Sequence, residues 1–454
     1  MMEYIERIID KYLLEWKNSP VHKPLLLRGA RQVGKSSAVR HLGKQFKYFA
    51  EVNFERLKGV HSFFAGDIDV HIIAAKISNY INVPIESGNT LLFLDEIQEC
   101  PEAIMALRFF KEDYPQLHVI AAGSLLEFTL QELPTFGVGR IHSLFMYPFT
   151  FDEFLSATGN KGLIEVKRGA DSSNPLDASF HEKLVDLFRI YLLVGGMPEA
   201  VVTWAKTKDF GACRRVHNDI ILTYEDDFNK YRQRILPELL RIAMRGVCHQ
   251  IGQKLSFAKV SSDYRSAQIR SALRLLTLAG IVIPVIATSG NGVPLDAEAN
   301  ELVAKYLFLD SGLLLAILHL DGSSPQRLIE LIMAGSPQDV VNKGSITEMV
   351  AGLELMRYKE PIQRHTMHYW QQSGDSIAEV DYLEAKDARV IPIEVKSGTQ
   401  GGMKSLWQFM RSKHLCSGVR TSLENFGSIN YVDALDGGAT RYISIIPLYA
   451  LSRF

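Results

Sequence analysis

Apolar residues follow two periodicities along this chain. Ile5, Ile8, Ile9, Leu13 and Trp16 recur at helical spacing among charges, which predicts an amphipathic helix over 2–17. Short unbroken apolar runs come next: Leu25-Leu26-Leu27, Leu91-Leu92-Phe93-Leu94 and Val119-Ile120-Ala121-Ala122. Runs of this length read as strands buried on both faces, as in a parallel sheet. Helical stretches at 35–46, 67–81 and 101–112 lie between them, and strand alternating with helix predicts a layered α/β domain. From about 180 to 232 the pattern is helical, interrupted by Gly195-Gly196-Met197-Pro198. Residues 236–285 read as a small helical domain closed by an apolar strand at 281–285. The Ser-, Gly-, Asn- and Pro-bearing stretch 286–299 reads as a turn or linker. A helix at 344–358 then precedes strands at 367–371, 378–384 and 390–395.

Composition narrows the class. The 454 residues are 47% hydrophobic, enough for packed cores in two or three domains. With 50 Lys plus Arg against 51 Asp plus Glu, any nucleic-acid surface must be a local patch. Cys100, Cys213, Cys248 and Cys416 are far apart, with no CxxC and no zinc spacing. They predict reduced, mostly buried thiols and a cytoplasmic setting. The charged N-terminus lacks the apolar stretch of a signal peptide, and no run approaches a bilayer span, so no membrane partner is expected.

The first candidate chemistry follows strand 25–27. Residues Gly29-Ala30-Arg31-Gln32-Val33-Gly34-Lys35-Ser36 read G-x-x-x-x-G-K-[ST], with a helix predicted directly after. Glycines let the backbone wrap a phosphate, and the N–H groups of the loop and helix N-terminus cradle the anion. With Ser37 beside them, these residues form the expected ATP contact. Lys35 would reach the β- and γ-phosphates and Ser36 would ligate Mg²⁺. The next run ends in Asp95-Glu96, at the carboxyl edge where open α/β sheets bind ligands. Asp95 would hold Mg²⁺ through water and Glu96 would activate the attacking water. The third run ends in Gly123-Ser124, where the hydroxyl either contacts the γ-phosphate or the water, or simply fills a turn.

These residues resemble the AAA+ ATPases, specifically the bacterial and archaeal group in which an AAA+ module precedes a C-terminal nuclease-like domain. The resemblance rests on 29–36, the LDEIQ stretch 94–98, Ala122-Gly123-Ser124, Gly139-Arg140, Tyr147 to Phe154, and Gly195-Gly196-Met197-Pro198-Glu199. It implies Walker A and B roles for Lys35, Ser36, Asp95 and Glu96, and a sensor role for Ser124. It also implies a γ-phosphate contact by Arg140, in cis or from a neighbouring subunit of a homo-oligomer; the other reading of Arg140 is a surface ion pair. No sensor-2 arginine stands beside Gly195-Gly196.

Two further segments carry candidate chemistry. In 256–285, Ile269, Leu273 and Leu276 form one helix face with Ala272 beside it, while Arg265, Arg270 and Arg274 lie elsewhere. Helix, turn, basic helix and strand are the parts of a winged helix-turn-helix, which either contacts DNA phosphates or serves as a spacer. In 379–398, strand alternation sends Glu394 and Lys396 to one face, and a hairpin would set Asp381 beside them. Glu348 on the preceding helix adds a carboxylate. The set resembles the PD-(D/E)XK nucleases, which implies Asp381 and Glu394 as metal ligands, Lys396 as the catalytic lysine and Glu348 as an accessory acid. A salt-bridged hairpin is the bland alternative.

The expected architecture is therefore an α/β P-loop NTPase of the AAA+ type with a helical lid at 1–232. A winged-helix-like connector follows at 233–300 and a nuclease-like α/β domain at 301–454. The expected function is Mg²⁺-dependent ATP hydrolysis coupled to action on DNA. The alternative is a signalling or scaffold ATPase whose inactive C-terminal domain binds a protein partner.

Overall fold

The computed structural model describes residues 4–454 apart from 125, 133–138, 233, 321–323, 325–327, 329–342, 373–377 and 399–401. The chain divides into two compact units. One comprises 1–148 with 278–280 and 360–364; the other comprises 149–277, 281–359 and 365–454.

The first unit is built on five strands: β1 (Leu25–Arg28), β2 (Tyr48–Asn53), β3 (Thr90–Asp95), β4 (His118–Ala122) and β5 (His142–Phe145). Their order is β2-β3-β4-β1-β5 and every neighbouring pair is parallel. The three apolar runs of the sequence are β1, β3 and β4. All of β3 and β4 is buried, which explains why they carry no polar alternation. β2 was not expected, because only its alternate residues Ala50 and Val52 are buried and no apolar run marks it. Register aligns the strand ends: Leu27 lies opposite Ala122, and Ala122 opposite Asp95.

One sheet face packs Leu26, Val52, Leu92, Leu94, Val119 and Ala121 against Ile73, Ile77, Leu107 and Phe110 from flanking helices. Those helices are Val70–Ile81 and Pro101–Asp113. Asp69 caps the first by accepting from the His71 and Ile72 N–H groups at 2.9 and 3.0 Å. Helix Lys35–Gly43 packs against β2, β3 and β4 through the buried face that holds Ala38, Val39 and Leu42. The N-terminal helix is shorter than its pattern suggested, Ile8–Asn18, with Ile9, Leu13 and Trp16 buried.

The second unit opens with five helices, Phe151–Ala157, Gly162–Arg168, Ala178–Val194, Pro198–Thr207 and Phe210–Asp227. The first is set by a capping box. Thr150 Oγ1 accepts from Glu153 N–H at 3.3 Å and Glu153 Oε2 accepts from Thr150 N–H at 2.8 Å. Helices Pro237–His249, Phe257–Val260 and Ser266–Leu278 follow. Then come β6 (Val282–Thr288), β7 (Ala299–Phe308), β8 (Met367–Gln371), β9 (Glu379–Lys386), β10 (Arg389–Val395), β11 (Ser417–Ser422), β12 (Gly427–Asp433) and β13 (Ala439–Pro447). These eight strands form one mixed sheet in the order β12-β13-β11-β10-β9-β8-β6-β7.

Two strands differ from the sequence pattern. β6 runs to Thr288 and pairs antiparallel with β7 and parallel with β8, so the strand expected to close a helical domain is built into this larger sheet. The stretch expected as a linker is mostly structured, since a 3₁₀ turn at Leu295–Glu298 leads directly into β7.

Gly195 and Gly196 link two helices of this unit. Gly195 ends helix Ala178–Val194 at φ 70°, ψ −168°, a conformation confined essentially to glycine. Gly196 N–H donates to Asp310 Oδ2 at 2.5 Å, and Phe149 N–H donates to Gly196 O at 2.7 Å. Below them lies a buried polar knot. Glu354 Oε2 accepts from Phe151 N–H at 3.0 Å, and the Tyr191 hydroxyl lies 2.7 Å from Glu354 Oε1. Arg357 donates to Leu309 O at 2.7 Å and to the Tyr191 hydroxyl oxygen at 2.8 Å. Burial pushes the Glu354 carboxyl up, and the Arg357 guanidinium opposes that rise.

A Cβ at position 195 would meet the Asp310 carboxylate, whereas one at Gly66, also at positive φ, would meet nothing within 4 Å. Gly66→Ala is therefore expected to cost about 1 kcal/mol, from backbone strain alone. Gly195→Ala adds a steric collision and the displacement of Asp310 from the Gly196 N–H. Chemical denaturation of the two variants should show Gly195→Ala to be at least about twofold more destabilising.

Candidate functional site

Parallel pairing brings the carboxyl ends of β1, β3 and β4 to one edge, and the expected loop lies there. Gly29 leaves β1 at φ +142°, and a Cβ on it would collide with Met146 O. Gln32 and Gly34 also take positive φ, 65° and 100°. Ala30 and Val33 are buried, Arg31 is half-buried and Gln32 is exposed, so the loop presents backbone along one side. Arg7 braces it from the N-terminal segment, donating to Val33 O at 3.0 Å and to Tyr147 O at 2.7 Å. Helix Lys35–Gly43 starts directly behind Gly34, which aims its first N–H groups at the loop.

Lys35 is buried, and its Nζ donates to Gly29 O and Ala30 O, each at 2.8 Å. Burial pushes its ammonium down to about 8. Glu96 and Asp95 pull it back up, and Arg31 lowers it further. Ser36 Oγ donates to Asp95 Oδ1 at 3.0 Å. Asn53, the last residue of β2, donates to Asp95 Oδ2 at 3.1 Å. Arg40 pairs with Glu51 at 2.6 Å and stands 3.9 Å from Asp95. Burial raises the Asp95 carboxyl, and the Ser36 hydrogen bond acts the other way. A hydroxyl and a carboxylate at this spacing, beside the glycine-bearing loop, suit a hard divalent cation held between protein and phosphate.

Glu96 follows at φ 52°, ψ 44°, a left-handed conformation uncommon for a branched-free but bulky side chain and of the kind stored at working sites. Its Oε2 accepts from Gln98 Nε2 at 2.7 Å, from Ser124 Oγ at 3.2 Å and from Ser124 N–H at 3.4 Å. Ser124 therefore does more than fill a turn: it holds the carboxylate of Glu96. Ser37 is exposed on the helix. Arg140 forms an ion pair with Glu112 and is half exposed, which is the surface pairing that the sequence left open beside the γ-phosphate role.

In the second unit, Ile269, Ala272, Leu273 and Leu276 are buried while Arg265, Arg270 and Arg274 are exposed, as the helical pattern required. Arg270 lies over the Phe257 ring, 5.5 Å from its centroid.

The expected hairpin forms at β9 and β10. Ile393 pairs with Tyr382, which continues to put Glu394 opposite Asp381 on one face. Asp381 Oδ2 accepts from Val395 N–H at 2.7 Å, and Lys396 donates to Glu394 Oε1 at 2.6 Å. Glu348, from helix Lys343–Arg357, joins Asp381, as does Glu379, which sequence reading passed over although it lies two residues before Asp381 on the same face. Burial pushes the Glu348, Asp381 and Glu394 carboxyls up. The buried Oε2 of Glu394 has no hydrogen-bond partner. A group of carboxylates with one orphaned oxygen suits a divalent cation.

Asn53, Gln98 and Arg7 also escaped the sequence reading. Gln98 lay inside the quoted LDEIQ stretch, and the alternation of Ala50, Val52 and Phe54 would have marked the strand that delivers Asn53. Nothing local marks Arg7. Cys100, Cys213 and Cys248 are buried and Cys416 is exposed, all as free thiols. Among the described residues no helix is long and apolar enough to cross a membrane.

Comparison with known proteins agrees with the first site. Residues 21–155 match the family model of an AAA domain. Residues 185–324 and 343–435 match two domains of unknown function, DUF8612 and DUF4143. No curated protein matches the chain. Among solved structures, the Walker-type ATPase PABY2304 of Pyrococcus abyssi is 16% identical with a TM-score of 0.43, covering 69% of this chain and 96% of its own. The ORC1 protein of Aeropyrum pernix, solved in complex with DNA, is 12% identical with a TM-score of 0.29, covering 70% and 92%. At those scores the family model, and not the superpositions, carries the assignment. Residues 21–155 are an AAA-type P-loop ATPase domain.

Proposed function

We propose that this protein hydrolyses ATP at 29–37 and couples its nucleotide state to a nuclease-like C-terminal domain that acts on DNA. The three-part division at about 232 and 300 belongs to the same proposal. One observation carries the hydrolysis reading. Ser36 and Asp95 are in contact, and directly beside them Glu96 is held by Ser124 and Gln98.

Each residue then has a defined task. The backbone of 29–34 and the N-terminus of the following helix receive the phosphates. Lys35, already pointed at loop carbonyls, transfers its donors to phosphate oxygens. Ser36 and Asp95 would hold Mg²⁺, which would supply positive charge against the charge that develops on the phosphates, and Asn53 fixes the second oxygen of Asp95. Glu96 takes a proton from the attacking water, while Ser124 and Gln98 orient its carboxylate. Arg140, paired with Glu112, would supply positive charge to the γ-phosphate in cis or from a neighbouring subunit of a homo-oligomer, its alternative role being that surface ion pair. In the second unit, Asp381 and Glu394 would hold a divalent ion and Lys396 would serve the scissile phosphate, with the exposed arginines of 265–274 on the DNA backbone.

Steady-state turnover tests this directly. Glu96→Gln should lower kcat by about 10²–10⁴-fold while ATP still binds, and Lys35→Ala should lose binding as well. Wild-type turnover in Glu96→Gln would remove the base role. Duplex DNA should raise wild-type kcat; indifference to DNA with intact turnover would instead favour the protein-binding alternative.

Lys35 also generates a pH signature. Its folded value lies below the usual lysine value, so between about pH 8 and pH 10 the folded, nucleotide-free protein binds fewer protons than the unfolded chain. Stability contributed at this position therefore rises with pH across that window. Below it, the buried ammonium is a liability. Nucleotide-free Lys35→Met should melt at or above the wild-type temperature at pH 7, and the gap should close as pH rises through the window. A gap that widens with pH would contradict the assignment.

A further inference from the structure

One buried charge in the second unit, Lys305, lies beside the carboxylates of β9 and has no part in the catalytic roles of Asp381, Glu394 and Lys396. Glu348, Glu379 and Asp381 bring carboxylate oxygens within 4.8 Å of one another. Lys305, on β7, reaches into this group with only 2% of its side chain exposed. Its Nζ donates to Glu348 Oε1 at 2.9 Å and also to Glu379 Oε1, and it lies over the Tyr369 ring, 5.0 Å from the centroid. Burial alone would lower this ammonium, but Glu348, Glu379 and Asp381 together outweigh that and push it up, so it stays charged.

The remaining two carboxylates are engaged differently. Asp381 accepts from a backbone N–H, and Glu394 uses one oxygen for Lys396. The other oxygen of Glu394, a residue 6% exposed, has no partner. Four carboxylates, Glu348, Glu379, Asp381 and Glu394, face two ammoniums, Lys305 and Lys396, so the Glu348–Glu379 side and the Asp381–Glu394 side each hold one carboxylate more than ammonium. A bare carboxylate oxygen in the interior is costly, and one divalent cation with oxygen ligands supplies both the missing charge and the missing contact. Phosphodiester chemistry at carboxylate clusters often uses two ions about 3.5–4 Å apart. Here Lys305 already holds Glu348 and Glu379, and a second ion beside it would meet like charge at short range.

We propose that Lys305 is a built-in counter-cation that holds Glu348 and Glu379, so that this cluster takes a single divalent cation, on Asp381 and Glu394. The proposal rests on the reading of those two residues as metal ligands. It takes Glu348 out of the ligand set and makes Lys305 a positioning residue that sets metal stoichiometry.

Mn²⁺ binding to the nucleotide-free full chain, counted by electron paramagnetic resonance, tests it. The proteins compared are wild type, Asp381→Asn, Glu348→Gln, Lys305→Arg and Lys305→Met. Any ion at the P-loop is common to all five and cancels. Wild type should bind one Mn²⁺ that Asp381→Asn loses. Lys305→Arg should keep that number and Lys305→Met should gain one more. Glu348→Gln should keep wild-type affinity within about twofold, where loss of a ligand or its support costs about tenfold or more. Circular dichroism checks folding, and Glu348→Gln decides the question alone should Lys305→Met fail to fold. Absence of any Asp381-dependent Mn²⁺ would overturn the metal reading itself. Asp381-dependent Mn²⁺ that Glu348→Gln weakens tenfold, or a folded Lys305→Met with unchanged stoichiometry, would overturn the role of Lys305 and leave the metal reading standing.

Discussion

Parallel pairing of β1 with β4 and of β4 with β3 is the constraint from which the ATP site follows. Parallel strands point their carboxyl ends the same way, and the register sets Leu27, Ala122 and Asp95 level with one another. The residues that come next in each strand, the loop from Gly29, Gly123-Ser124 and Glu96, then have nowhere to go except the same edge. Parts separated by about sixty and thirty residues in sequence become neighbours without any one of them being specified to find the others. The apolar runs that build the strands are in this sense functional residues too, because a slip of one position in β3 would carry Asp95 away from Ser36.

Both units bury charge, and each does so by supplying partners before burial. At the P-loop, Lys35 is held on loop carbonyls and lies in the field of Glu96 and Asp95. In the second unit, Lys305 is surrounded by Glu348, Glu379 and Asp381. The balance differs. At Lys35 burial outweighs the acidic neighbours and the ammonium is destabilised, which suits a group whose proper partner is a phosphate. At Lys305 the carboxylates outweigh burial and the ammonium is fixed. The same side chain is thus a destabilised cation on loop carbonyls in one place and a fixed structural cation in the other, and the difference lies in how many carboxylates reach it.

Backbone conformation marks the working segments. Positive φ at Gly29, Gln32, Gly34 and Glu96 clusters around the nucleotide loop. Glu96 and Gln32 have side chains that disfavour such angles, and the surrounding hydrogen bonds of Glu96 to Gln98 and Ser124 hold it there. Gly195, at the turn between two helices, has a conformation only glycine adopts readily, and its lack of a Cβ leaves room for Asp310.

Patterns short in sequence were legible in advance. The strands β1, β3 and β4, the loop 29–36, the Asp95-Glu96 pair, the β9–β10 hairpin with Asp381, Glu394 and Lys396, and the buried stripe Ile269, Ala272, Leu273 and Leu276 are all written in adjacent or regularly spaced residues. That is because strand burial, helix periodicity and phosphate cradling act over a few residues at a time. What only the tertiary structure decided are pairings across long separations. Asn53 with Asp95, Arg7 with Val33 and Tyr147, Arg140 with Glu112, and Lys305 with Glu348 and Glu379 have no local signature. The place of β6 between β7 and β8, inside an eight-stranded sheet, was likewise invisible. Which strand or side chain a polar group meets depends on how the packed layers close. One residue's chemistry does not encode that closure; it emerges from the burial of all of them together.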